Sequence, residues 1–294
     1  MGKKITQLAT ITEVADDDLI VGVDVSDTSG SDNGTNKKFT KATLLTGLAP
    51  LNPQLTGWNP DAETWVYHNV DDPTGYFKIA GKDVSANYSV GWRIMFTNGG
   101  NVIKGIITAI TYSDPDTIIT FLHEIDPTDN QALYLLQNSA ITENYVSPHK
   151  APLGFPMSPA KWSVVFSTKT QVYQASPSVG TVYSTGYSIS IPIGVWDVTF
   201  QGLVGANQNG SPTRIGCALS TSTSSVTENL LRFFIGLNAE TSVWFGDFVR
   251  RGTITRTSKA TYYIVFWTTR PGYSNLLFGS GDAYSFVTAT CAYL

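Results

Sequence analysis

Between residues 186 and 204 the chain alternates apolar and polar positions twice. Tyr187, Ile189 and Ile191 are interleaved with Ser188 and Ser190; Trp196, Val198 and Phe200 are interleaved with Asp197, Thr199 and Gln201. Successive strand residues point to opposite faces, so each run has one apolar and one wetted face. Pro192 has no N–H to give a ladder and Gly194 tolerates positive φ, so a turn is predicted between the runs. Two such strands cannot cover their apolar stripe alone, and a second sheet built from the residues after 162 is required.

The same reading places further strands at 162–166, 170–174, 181–185, 187–191, 196–203, 214–219, 230–237, 242–247, 252–257, 262–268 and 283–293, separated by polar links such as 205–212, 220–225 and 270–275. With no helical period, residues 162–294 read as a jelly-roll-like β-sandwich. Residues 53–150 carry shorter runs at 64–68, 76–80, 92–97, 102–111 and 117–123, with turns at Asp71-Asp72-Pro73, Asn98-Gly99-Gly100-Asn101 and Asp114-Pro115-Asp116. Close spacing and tight reversals predict a small β-barrel. The Pro-rich residues 151–161 read as a stiff connector. In 1–52, strands are expected near 19–25 and 37–39, a loop at 26–36, and a short helix capped by Thr40. That segment is poor in large apolar residues and is expected to become rigid by docking or by packing with its own copies. The whole is a mostly β chain.

Composition narrows the partners. Charged residues make up only 14% of the 294 residues, against roughly 25% in an average soluble protein; hydroxyl and amide side chains wet the surface instead. The net charge of −4 is uneven: five Lys and Arg face seven Asp and Glu in 1–52, five face eleven in 53–150, and nine face five in 151–294. The mild basic excess at the C-terminal end is not clustered, which argues against nucleic acid. No apolar run is long enough for a membrane helix, so no membrane insertion is expected, and the first residues lack the apolar stretch of a signal peptide. Cys217 and Cys291 lie in apolar runs, which predicts buried free thiols.

Catalytic and metal-binding signatures are missing. His68, His123 and His149 are too far apart in sequence for common zinc motifs, and no nucleophile elbow, phosphate loop or dinucleotide fingerprint occurs. No metal, no cofactor and no catalysis are expected. A carboxylate pair working on glycans is the enzymatic alternative, but Asp197 is expected to be solvated or salt-bridged and the Asp residues at 71, 72, 114, 116, 126 and 129 to cap turns. Binding chemistry is diffuse. Asn207, Gln208, Asn209, Tyr273 and Asn275 fall in predicted loops and have the amide and aromatic groups that hold sugars, so they are the candidate receptor-binding residues. Trp196, Trp244 and Trp267 are expected in core or subunit contacts.

Three sets of motifs resemble bacteriophage tail-fibre and receptor-binding proteins. Ile5-x-x-Leu8, Val14-Ala15-Asp16-x-Asp18-Leu19-Ile20 and Lys37-Lys38-Phe39-Thr40 resemble their N-terminal virion-attachment segment. Gly57-Trp58-x-Pro60, Tyr88-Ser89-Val90-Gly91-x-Arg93-Ile94 and Pro152-Leu153-Gly154-Phe155-Pro156 resemble a domain of phage and prophage receptor-binding proteins. Ile189-x-Ile191-Pro192-x-Gly194-x-Trp196 and Cys291-Ala292-Tyr293-Leu294 resemble fibre heads of the C1q and tumour-necrosis-factor type. The resemblance implies a homotrimer, attached to other virion tail or neck proteins through 1–52, whose 162–294 sandwich meets a glycan or protein on the host surface. A head-fibre, collar or baseplate protein without receptor contact is the alternative, and a glycan depolymerase the second.

Overall fold

The computed structural model describes residues 19–24, 35–40, 56–208, 213–237, 243–271, 273–279 and 284–294. The chain divides into two compact units, Met1–Asn59 and Pro60–Leu294. In the first, β1 (Leu19–Asp24) and β2 (Thr35–Thr40) pair antiparallel from Leu19↔Thr40 to Asp24↔Thr35. The loop between them and the helix expected after Thr40 lie outside the described residues.

The second unit begins with a curled seven-stranded antiparallel sheet made of β3 (Asn59–Pro60), β4 (Val66–Asp71), β5 (Thr74–Ile79), β6 (Arg93–Asn98), β7 (Asn101–Ser113), β8 (Asp116–His123) and β9 (Ile141–Ser147). Its order is β3-β9-β6-β7-β8-β5-β4. The path ends at β3 and β4, so the predicted small barrel is an open half-barrel. Three predicted turns sit at its reversals: Asp72-Pro73, Gly99-Gly100 and Asp114-Pro115. Gly99 and Gly100 have φ of 58° and 81°, the left-handed pair that lets two residues reverse a hairpin. Its core packs Trp65 on Phe77 with ring centroids 4.1 Å apart, and Phe96 edge-on to Phe121 at 5.6 Å.

The sandwich follows: β10 (Ser163–Thr168), β11 (Val172–Ala175), β12 (Tyr183–Ile191), β13 (Gly194–Gln208), β14 (Thr213–Ser220), β15 (Arg232–Leu237), β16 (Val243–Arg256), β17 (Ala260–Thr268), β18 (Tyr273–Phe278) and β19 (Ser285–Cys291). β13 is its axis. Along one edge it pairs with β16 from Gly194↔Arg256 to Asn207↔Val243. Its other edge is shared, by β19 over Trp196–Gln201 and by β18 over Val204–Gln208. β10 and β11 continue this arrangement on β19 and β18. The two half-length pairs therefore act as two long ranks, giving four ranks in this sheet and four strands, β12-β17-β14-β15, in the other. Eight ranks in two sheets is the jelly-roll arrangement.

The two alternating runs within 186–204 are β12 and β13, and they belong to different sheets. Pro192-Ile193 is a crossing between layers rather than a hairpin turn, and Trp196 Nε1 donates to Pro192 O at 2.9 Å to hold it. Trp196, Val198, Phe200 and Val204 are buried between the sheets; Phe200 meets Phe233 of the opposite sheet edge-on at 6.4 Å. Cys217 and Cys291 are buried free thiols, as expected. Burial pushes both thiols up, Cys291 to about 11.

Candidate functional site

Half-barrel and sandwich meet through a clasp built around Arg93, a fully buried side chain on β6. Its guanidinium donates to Gly91 O at 2.7 Å, Lys150 O at 3.0 Å and Tyr293 O at 3.0 Å. A planar fork with several donors suits such a cage of carbonyls, where Lys would satisfy fewer of them. Phe155 lies under the guanidinium at 5.0 Å and stacks on Trp162 at 5.0 Å, while Trp162 Nε1 donates to Pro156 O at 2.6 Å. Burial lowers the Arg93 pKa from its usual value. Beside it, Lys150 Nζ donates to Leu294 O at 2.9 Å. Three separate sequence motifs, around 91–94, 152–156 and 291–294, thus converge on one joint. Of the Pro-rich stretch, Pro152 and Phe155 are buried at that joint, while Leu153 and Met157 are exposed.

The predicted receptor-binding residues are placed differently from the expectation. Asn207 and Gln208 lie at the end of β13, and Tyr273 and Asn275 at the start of β18, in strands rather than loops. Ladder pairing on both edges of β13 outweighs the weak strand preference of Asn. The register puts Gln208 opposite Tyr273 and Asn207 opposite Asn275, so four of the five share one end of the sheet. Asn209 lies outside the described residues, as do the side chains of Gln208, Tyr273 and Trp244. Asn207 and Asn275 are half-buried.

Sequence periodicity did not reveal the row beside them. Tyr173 on β11 pairs with Leu277 on β18, which pairs with Gly205 on β13, which pairs with Phe245 on β16. This row crosses the outer face of the sheet, opposite Phe200 and Ala206. Tyr173 is 62% exposed and Phe245 38%; further along β16 on the same face, Val249 is 53% exposed. Arg251 and Asp247 stand between and beside them, both exposed. An outer sheet face with apolar residues at alternate positions departs from the apolar-in, polar-out rule of a solvated sandwich. Trp196 and Trp267 are core, as expected.

A cleft of about 510 Å³ opens on another side, between the half-barrel and the sandwich edges formed by β10 and β12. One wall is the loop 129–131, whose Asn130 side chain pairs with the β10 backbone: Val165 N donates to Asn130 Oδ1 at 2.7 Å, and Asn130 Nδ2 donates to Val165 O at 2.8 Å. The other wall is β12 with Ser188 and Ser190. Lys259 closes one end, donating to Asp71 Oδ1 at 3.0 Å and Asp72 O at 2.6 Å. Asp126 and Asp129 cap their own loop as expected, accepting Thr128 N and Gln131 N. Among the described residues, no group of three or more His, Cys, Asp or Glu side chains is placed to hold a metal ion, and no helix is long and apolar enough to cross a membrane.

No protein-family profile matches the chain, and no curated protein matches it in sequence. Among solved structures, the chain is similar to the structure of infectious bursal disease virus Gx strain at 9% identity and a TM-score of 0.31, covering 82% of this chain and 76% of that one. It is also similar to the VP2 subviral particle of infectious bursal disease virus, at 10% identity and a TM-score of 0.29 over 85% and 81% of the two chains. A third likeness is to an Arthrobacter globiformis T6 isomalto-dextranase complexed with panose, at 11% identity and a TM-score of 0.23 over 78% and 36%. At such scores these likenesses establish neither the family nor the role of the chain.

Proposed function

We propose that this chain is a structural protein of a bacteriophage virion, a tail-fibre or receptor-binding component that attaches the particle to the host surface. The observation that carries the reading is the outer sheet face, where Tyr173 and Phe245 are exposed at the two ends of a row through buried Leu277 and Gly205, with exposed Val249 further along β16. Such a face is suited to burial against identical copies, and the jelly-roll order of the sandwich agrees with the fibre-head resemblance of its motifs. In this reading three copies join through that face, residues 1–52 dock on other tail or neck proteins, and the three sandwiches meet a host glycan or protein together. Joining three weak contacts raises avidity without any new contact being made.

The test uses the full chain and intact particles. Purified protein added before phage is expected to compete for the host surface and reduce adsorption in a dose-dependent way, and antibody-gold labelling is expected at the tail tip. Labelling at the head or collar with undiminished adsorption would replace this reading with that of a head-fibre or collar protein.

A further inference from the structure

The cleft between half-barrel and sandwich is assembled from five separate stretches of chain, and its chemistry is more specific than its turns suggest. Its volume of about 510 Å³ falls within the range of small-molecule sites, roughly 300–1,000 Å³. Ser188 and Ser190 are both exposed and, two residues apart on β12, point to the same side. Among the described residues β12 is an edge strand, paired with β17 alone. Phe166 supplies an apolar surface; its ring packs against Tyr187 with centroids 5.3 Å apart. Facing them is Asp129, whose Oδ1 accepts Gln131 N at 2.9 Å while Oδ2 has no protein partner among the described residues. The two hydrogen bonds between the Asn130 amide and the Val165 backbone pin this wall to the sandwich, so the neighbouring carboxylate is held in place before anything binds.

The charges sort the possible ligands. Lys259 is already engaged by Asp71 and by the Asp72 carbonyl, so the charges left for a ligand are two carboxylates, that of Asp129 and that of Asp72, which accepts Ala132 N at 2.7 Å. An anionic sugar would be repelled. A carboxylate accepting from adjacent hydroxyls, two serine hydroxyls that both donate and accept, and an aromatic ring for the C–H face of a pyranose are complementary to an uncharged carbohydrate.

We infer that this cleft binds a neutral saccharide of one or two rings, through Asp129, Ser188, Ser190 and Phe166. The inference deepens the host-attachment reading and rests on it for the source of the sugar, a surface glycan of the host envelope. It makes the clasped pair of domains, rather than the sandwich tip alone, the binding unit.

Saturation-transfer NMR on the full chain tests it, with neutral disaccharides (maltose, lactose, N,N′-diacetylchitobiose) and a uronic-acid disaccharide as probes. Saturable binding of at least one neutral probe is expected, with the uronic acid about tenfold weaker or absent. Asp129→Ala should weaken binding about tenfold, Ser188→Trp should abolish it by filling the cleft, and Ser224→Ala, on a remote exposed turn, should leave it unchanged. All three sites are exposed, and unchanged thermal unfolding would show that the variants fold. The absence of saturable binding by every neutral probe, or binding that survives Ser188→Trp, overturns the inference. Cell binding separates this from the broader reading. If wild type and Ser188→Trp bind host cells equally, the cleft is not the contact and host attachment stands. If wild type binds the saccharide but not cells, the cleft stands and host attachment fails.

Discussion

His123 shows how a single residue can set the acid limit of the fold. It ends β8 at 1% exposure, its ring tilted against Phe121 with centroids 4.6 Å apart, and among the described residues neither ring nitrogen has a hydrogen-bond partner. Nearby, a Cβ placed on Gly75 would come within 2.6 Å of Nε2, so the imidazole fills the space that glycine leaves. Burial alone lowers its pKa to about 3. The folded protein therefore holds a neutral imidazole while the unfolded chain takes up a proton below about pH 6.5, and stability falls as pH drops from that value toward 3. The loss reaches about 4 kcal/mol at pH 3. Asp116 and Asp126 are held below the usual carboxylate range by hydrogen bonds, so their contribution is lost at lower pH. Denaturant titrations of wild type and His123→Leu between pH 7 and 4.5 should show the steeper slope only in wild type; parallel slopes would refute the assignment. The sequence shows a histidine at a strand end. That both nitrogens are sealed away from water depends on Gly75 and Phe121, which only the sheet brings together.

At the scale of elements, the clasp decides whether half-barrel and sandwich move as one. Arg93 donates three hydrogen bonds to carbonyls from 91, 150 and 293, and hydrogen bonds from a charged donor are worth about 1.5–3 kcal/mol each. Arg93→Ala leaves three carbonyl acceptors short in a partly buried joint and removes the cation over Phe155, for an expected cost of about 3 kcal/mol. Arg93→Lys keeps the charge but not the fork, and should recover only part of it. Thermal unfolding and limited proteolysis check both outcomes: cleavage near 150–160 should appear in Arg93→Ala at temperatures where wild type is intact. Resistance equal to wild type would mean that stacking of Phe155 on Trp162 suffices. Much of this scale was legible in the chain. Alternation gave the strands around 196–203 and 262–268, and Asp-Pro and Gly-Gly pairs gave the half-barrel reversals. Pairing was not legible. The periods of 187–191 and 196–203 are those of two strands in one hairpin as well as of two in separate sheets, and only the partners β17 and β16 distinguish them. Likewise Asn207 and Asn275 have the composition of a loop and are strand residues because β13 is paired on both edges.

For the whole molecule, the outer face of the β13 sheet decides between a solitary sandwich and an assembly. Alternation predicts that residues facing away from the core are polar, and around Asp197, Thr199 and Gln201 they are. Toward the other end of the same strands the rule fails, at Leu203, Phe245, Val249 and Tyr173, and the last three are exposed at 38%, 53% and 62%. Tyr173 and Phe245 end one row that runs through buried Leu277 and Gly205, and Val249 stands further along β16, so the exposed apolar groups are spread over one face of the sheet. Asp247 and Arg251 flank Val249 on β16, and opposite charges two residues to either side of an apolar contact allow a copy to pair with its neighbour in register. Val249→Lys is the decisive change. The site is exposed and its backbone already strand, so folding should be nearly unaffected, with stability within about 0.5 kcal/mol of wild type. Charge brought into an apolar contact has to be desolvated, and the substitution should weaken association by tenfold or more. Sedimentation velocity at low micromolar concentration is expected to show trimer for wild type and monomer for Val249→Lys, while Thr199→Lys, on the polar part of the same face, should shift the distribution less. A wild-type chain that sediments as a monomer at that concentration would remove the trimer, and a trimer indifferent to Val249→Lys would move the contact to another face.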